Sequence, residues 1–170
     1  MEEKVVISQV SSMDEVAGVQ ELLHEYIAWA FSLAEDSDKA PTFQGIEEEL
    51  ASLPGIYVPP LGRLLLATHN GKAAGCVCLK PHSDGTCEVK RLYVSPNMRG
   101  LAIGSQLIER LVEEARAAGY RRIVLDSHIS MTKAHGIYEG VGFRRVEGPP
   151  EFPESLRPVA VFMELDLGEI

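Results

Sequence analysis

The apolar positions of this chain follow two periods, and the points where one gives way to the other divide it into elements. Lys4–Val10 is a short β-prone run and predicts a first strand. Ser12-Met13-Asp14-Glu15 has the spacing of a capping box and opens a helix whose stripe is Val16, Val19, Leu23, Tyr26, Ile27 and Ala30. The polar stretch Glu35–Pro41 breaks it, and Phe43–Leu53 reads as a second, short helix with Glu47, Glu48 and Glu49 side by side. Leu53–Gly62 holds Pro54, Pro59 and Pro60 and is a loop. Arg63–Thr68 and Ala73–Leu79 are strands joined across Asn70-Gly71, a pair that accepts the positive φ of a tight hairpin. Pro81–Gly85 predicts another turn, leading into a strand at Cys87–Val94 that Ser95-Pro96 stops.

The second half opens with a helix from about Ala102, its apolar face made of Ile103, Leu107, Ile108, Leu111, Val112 and Ala115. Glu109, Arg110, Glu113, Glu114 and Arg116 take the opposite face, and Gly119 supplies the left-handed residue that ends it. Arg122–Asp126 is the next strand; with a helix before it, it should run parallel to Cys87–Val94. A short helix, Met131–Glu139, a strand at Phe143–Val146, a loop at Glu147–Pro158 and a last strand at Val159–Leu167 complete the chain. One strand carries a fault in its pattern. Cys87 and Val89 put the apolar side on odd numbers, whereas Leu92 and Val94 put it on even ones. A phase change inside a strand predicts a bulge near Lys90–Arg91.

Between that strand and the following helix lies Arg99-Gly100-Leu101-Ala102-Ile103-Gly104-Ser105. A helix N-terminus presents unpaired backbone N–H groups and a partial positive charge, and small residues let a phosphate come close. No lysine precedes Ser105, so the run is not a P-loop, and its glycine spacing is not the dinucleotide fingerprint. It resembles the R-x-x-G-x-G/A pyrophosphate loop of the GCN5-related N-acetyltransferase (GNAT) superfamily, with Ala102 where the pattern usually has its first glycine. Glu88–Pro96 is similar to the core strand of many small members, and Ile137-Tyr138-Glu139 with Gly142-Phe143 resembles a later signature of the same superfamily. An Asn commonly stands seven residues before that tyrosine; here the position is Met131.

The resemblance implies one N-acetyltransferase domain spanning 1–170, with the match running over about 3–167. Its fold would be a single-domain α/β acyl-CoA N-acyltransferase: a mixed, mostly antiparallel sheet of six to seven strands flanked by about four helices. It implies acetyl-CoA as cosubstrate, held by Leu92, Tyr93 and Val94 of the strand and by Arg99, Gly100, Leu101, Ala102, Ile103, Gly104 and Ser105 of the loop. Pantetheine would lie in a gap beside the strand, as an added strand does. The first two helices would overhang the acceptor, which brings Trp29, Phe31, Phe43 and the acidic cluster toward it. Catalysis would fall to Glu88 as base and to Tyr138 as the acid that protonates the departing thiolate. His128 and His135 are the alternative bases, and Lys133 is a candidate phosphate contact. Against these stand plainer roles: Glu88 paired with Lys90 or Arg91, and Tyr138 packing a helix on the sheet.

Composition narrows the rest. At 170 residues, 45% apolar and 24% charged, the chain suits one globular domain with a full core. The formal net charge of −9, with no Lys/Arg tract, argues against a nucleic-acid partner. No apolar run approaches membrane-spanning length, and Met-Glu-Glu-Lys is not a secretory start, so a cytoplasmic protein without a membrane partner is expected. Cys76, Cys78 and Cys87 are odd in number and read as buried small hydrophobes; no metal is expected. The function that the GNAT resemblance implies is acetyl transfer to a primary amine, of a small molecule in preference to a protein N-terminus or lysine. The different-class alternative is a non-catalytic acyl-CoA sensor, and the oligomeric state, a homodimer included, stays open.

Overall fold

The computed structural model describes residues 4–32, 45–98 and 100–168. Seven strands form a single sheet in the order β1-β2-β3-β4-β5-β7-β6. They are β1 (Val5–Gln9), β2 (Arg63–His69), β3 (Lys72–Ser83), β4 (Thr86–Val94), β5 (Arg122–His128), β6 (Arg144–Val146) and β7 (Ala160–Asp166). The helices are α1 (Met13–Ser32), α2 (Ile46–Ser52), α3 (Ile103–Ala117) and α4 (Thr132–Val141). Among the described strands only β4 and β5 pair in parallel, as a strand–helix–strand unit requires. The sheet is therefore mixed and mostly antiparallel, as expected.

Local chemistry explains the element ends. Ser12 Oγ accepts the Glu15 N–H at 3.2 Å, and the Glu15 carboxylate reaches back to the Ser11 amide at 3.2 Å, so the capping box forms. Asn70 and Gly71 take φ of 51° and 84° to turn β2 into β3. At the end of α3, Gly119 has φ 91°; its N–H donates to Arg116 and that of Tyr120 to Ala115, closing a Schellman motif.

Two boundaries differ from expectation. The strand predicted at Ala73–Leu79 continues to Ser83, so the expected Pro81–Gly85 turn shrinks to Asp84-Gly85. Pro81 is tolerated because the register shifts between Pro81 and Ser83, and a bulge removes the need for its missing N–H. The expected loop at Glu147–Pro158 contains a 3₁₀ helix, Glu154–Val159. The predicted break at 35–41 and Phe43 lie outside the described residues.

Both faces of the sheet are covered. On one, α3 and α4 bury Ile103, Leu107, Ile108, Leu111 and Tyr138 against Cys87, Val89, Ile123 and Leu125. On the other, α1 and α2 bury Val19, Leu23, Tyr26 and Leu50 against Cys76, Cys78 and Tyr93. Each fully buried aliphatic side chain contributes about 1.5–3 kcal/mol, so the two cores together hold β4 at the centre. The three cysteines are free and fully buried, as small hydrophobes.

Candidate active site

The phase change in β4 is a bulge. Cys76 pairs with Tyr93 and Cys78 with Lys90, so Arg91 and Leu92 together oppose Val77 alone. Arg91 sits at φ 61°, a conformation that a non-glycine residue rarely adopts. Its guanidinium is held by α2, with Nε 3.0 Å from Glu49 Oε2, and Glu49 also accepts from the Tyr57 hydroxyl. Of the three glutamates expected near the acceptor, Glu49 is thus tied to the bulge, while Glu47 and Glu48 are exposed.

After Glu88, ahead of the bulge, β4 leaves its parallel neighbour. Pairs form at Thr86↔Arg122, Cys87↔Ile123 and Glu88↔Val124, and no described residue of β5 pairs with β4 after that. The backbone edge of β4 from Val89 onward faces a cleft. Alternation along the strands decides which side chains enter it from where. Cys87, Val89, Ile123 and Leu125 point to the α3/α4 core, so Glu88 and Asp126 point to the α1 side. Tyr138 comes from α4 on the other side, and all three line the same cleft together with Tyr26, Arg91, Leu92 and His128.

Glu88 is largely covered, with 13% of its side chain exposed, 3.7 Å from Lys90 Nζ and 3.6 Å from His82 Nδ1. It has both the pairing foreseen for a structural glutamate and a place in the cleft; Arg91 is not its partner. Tyr138 is 6% exposed and lies against Phe143, ring centroids 5.5 Å apart. Burial holds its phenol protonated well above the usual range, and the neighbouring Tyr26 adds to this. No described residue hydrogen-bonds its hydroxyl. His128 lines the cleft with Nδ1 accepting from the Ser130 amide at 3.2 Å. His135 does not line the cleft; it is buried behind the wall with Nε2 3.0 Å from the hydroxyl of the cleft residue Ser127, and Lys133 is exposed. Met131 brings no side-chain amide; its sulfur accepts from the Tyr26 hydroxyl at 3.8 Å.

The loop before α3 has the form of an anion cradle. The first helical bond runs from the Gln106 N–H to the Ala102 carbonyl at 3.0 Å, leaving the amides of Ile103, Gly104 and Ser105 ahead of any helical acceptor. No side chain among the described residues caps this end. Gly100 has φ 88° and open space around it. Ala102 has φ 56°, so replacing the usual glycine carries a backbone cost of roughly 1–2 kcal/mol. Gly104 is small for a second reason: a Cβ there would stand 2.7 Å from Ile137 Cδ1 of α4. Arg99 lies outside the described residues. Leu92 lines the cleft and Val94 packs on the α3 core, whereas the Tyr93 side chain points to the α1 side and donates to Glu25 at 3.3 Å. Any part Tyr93 plays toward a cosubstrate falls to its backbone. Trp29 lies 6.2 Å from Tyr26 and 6.4 Å from Tyr93, within the aromatic packing of α1 on β4, and Phe31 is exposed. Sequence reasoning passed over Asp126 as a site residue; its alternation with Leu125 and its place at a strand end were the available signals.

Comparison with known proteins agrees with this geometry. Residues 21–143 match the acetyltransferase (GNAT) family. An uncharacterized N-acetyltransferase of Schizosaccharomyces pombe is 36% identical over 75% of this chain and 78% of its own length. The aminoalkylphosphonate N-acetyltransferase of Salmonella typhimurium is 36% identical over 47% of this chain and 55% of its own. The crystal structure of the PaiA N-acetyltransferase from Thermoplasma acidophilum, in complex with coenzyme A, superimposes with a TM-score of 0.74 at 17% identity, covering 96% of this chain and 99% of that one. The cleft, the loop and the matched sequence together place the chain in the GNAT family of acetyl-CoA-dependent N-acetyltransferases.

Proposed function

We propose that the protein transfers the acetyl group of acetyl-CoA to the primary amine of a small molecule, by direct attack within a ternary complex. The observation that carries this reading is the divergence of β4 from β5 after Glu88, which lets Glu88 from one face of the sheet and Tyr138 from the other line one cleft. The amides of Ile103, Gly104 and Ser105 would receive the pyrophosphate, and the unpaired edge of β4 would hold pantetheine and polarise the thioester carbonyl.

Glu88 takes a proton from the acceptor ammonium, directly or through water, and frees the nitrogen lone pair. The nitrogen forms the amide bond to the acetyl carbon as the carbon–sulfur bond breaks. Tyr138 faces the sulfur and stabilises the departing thiolate. Burial keeps its hydroxyl protonated at neutral pH, so the donor is always loaded. No cysteine intermediate intervenes: Cys76 and Cys87 are buried with thiols pushed up to about 12, and Cys78 is raised as well, which denies each the thiolate a nucleophile needs. The small-molecule acceptor is supported by the named substrate of the Salmonella relative.

Free-thiol detection with acetyl-CoA and a panel of primary amines tests this. Release of CoA that depends on a small amine, with a matching acetylated product by mass spectrometry, is expected. Acetyl-CoA binding without turnover of any amine, or turnover of a peptide N-terminus alone, would overturn the reading.

A further inference from the structure

Resting on that reading, we propose that the acceptor is a monoamine with an apolar body: Asp126 holds its ammonium, and Phe152 and Leu156 receive its hydrocarbon part. The charges around the cleft point to this. Among the described residues two cations, Lys90 and Arg91, line it, and both are already matched: Lys90 lies 3.7 Å from Glu88, and Arg91 3.0 Å from Glu49. Asp126 is exposed into the cleft, and no described residue forms an ion pair or hydrogen bond with it. Its charge is close enough to Tyr26 to add to the upward shift that burial produces there. The unmatched charge is therefore one carboxylate, on the same face of the sheet as Glu88 and two residues beyond the last β4–β5 pair. An ammonium held there lies beside the base and at the mouth of the gap. An acceptor carrying a carboxylate or phosphonate would find no unmatched lysine or arginine among the described residues that line the cleft, and would have to break an existing pair to be recognised there.

Ser127 and His128 also line the cleft, and one stretch of its wall is apolar, with the Arg157 guanidinium 6.0 Å from the Phe152 ring centroid. Phe152, Leu156 and Val159 reach the cleft from the segment between β6 and β7. Phe152 is braced edge-on by Phe162 of β7, ring centroids 4.7 Å apart and planes at 90°. It is a fixed wall, and an aryl or alkyl group laid on it leaves water without separating any charge pair. This sets the chain apart from its Salmonella relative, whose named substrate class carries a phosphonate.

Calorimetric titration of phenethylamine, 2-aminoethylphosphonate and aspartate into the CoA-saturated protein, with thiol release from acetyl-CoA measured in parallel, tests the assignment. Phenethylamine should bind at least tenfold more tightly than either acid-bearing amine. Asp126→Asn should weaken it at least tenfold, with acetyl-CoA affinity and melting temperature unmoved, and Phe152→Ala should weaken phenethylamine more than methylamine. Tighter binding of 2-aminoethylphosphonate or aspartate, or an Asp126→Asn protein that binds phenethylamine like wild type, overturns it. If phenethylamine binds in an Asp126-dependent way and no CoA is released, the acetyl-transfer reading fails and the acceptor assignment stands. If acid-bearing amines are acetylated in preference, the reverse holds.

Discussion

Replacing Tyr138 by Phe separates its chemical role from its packing role. The ring is 6% exposed and packs at a tilt on Phe143, centroids 5.5 Å apart, and both features survive the loss of one oxygen. No described residue bonds the hydroxyl, so no partner is left unsatisfied and stability should change by less than about 1 kcal/mol. The rate effect is different. General acids typically contribute about 10²–10⁴-fold. The phenol is raised by burial, above a thiol of ordinary pKa near 8.5, so full proton transfer to the thiolate is uphill and a hydrogen bond to it is the main benefit. That places the effect at the low end, about 10²-fold or about 2.7 kcal/mol of transition-state stabilisation. The assay is steady-state thiol release at saturating acetyl-CoA, with thermal unfolding alongside. A hundredfold fall in kcat, an amine KM nearly unmoved and an unchanged Tm are expected. A kcat within a factor of two of wild type, together with a lowered Tm, would refute the argument and leave Tyr138 a packing residue.

Other perturbations test the neighbouring parts. Glu88→Gln should depress kcat/KM most at neutral pH and progressively less toward pH 10, where more of the amine arrives deprotonated; a ratio to wild type that stays flat with pH would mean a positioning role. Gly104→Ala should destabilise by about 1–3 kcal/mol, since its Cβ would meet Ile137 Cδ1 at 2.7 Å. Adding Ile137→Val, which removes that atom, should make the double variant cost less than the sum of the singles in denaturant titrations; strict additivity would contradict the contact. Burial, reinforced by Arg145, holds the His135 imidazole below its ordinary value of 6.5. The unfolded chain then binds the proton more readily, so this site's contribution is present above pH 6.5 and is lost as pH falls through the lower folded value. Between pH 7.5 and 5.5 wild type should lose more Tm than His135→Gln, and parallel pH profiles would contradict this.

Features set by local chemistry were legible in the sequence. The bulge could be read because Cys87 and Val89 disagree in phase with Leu92 and Val94, and a buried strand cannot change phase without an extra residue. The same holds for Ser12 and Glu15 at one helix end and Gly119 at another, where the partners lie within a few residues. What depended on contacts distant in sequence stayed hidden. Nothing near Arg91 announces Glu49, 42 residues away, and nothing near Gly104 announces Ile137. Pro81 signals a turn from its own geometry, and only the bulge opposite β4 shows why it can stay in a strand. In the sequence Asp126 reads simply as the end of a strand, because its lack of a described partner is visible only when its neighbours are placed.

The central claim is that the cleft beside β4 and the amides opening α3 bind acetyl-CoA, and thermal unfolding across an acetyl-CoA titration tests it most directly. At a hundredfold excess over the dissociation constant the ligand should stabilise the protein by about 2.7 kcal/mol. For a domain of this size that is a rise in Tm of roughly 5–10 °C. An unchanged Tm with acetyl-CoA and CoA at millimolar concentration would contradict the account.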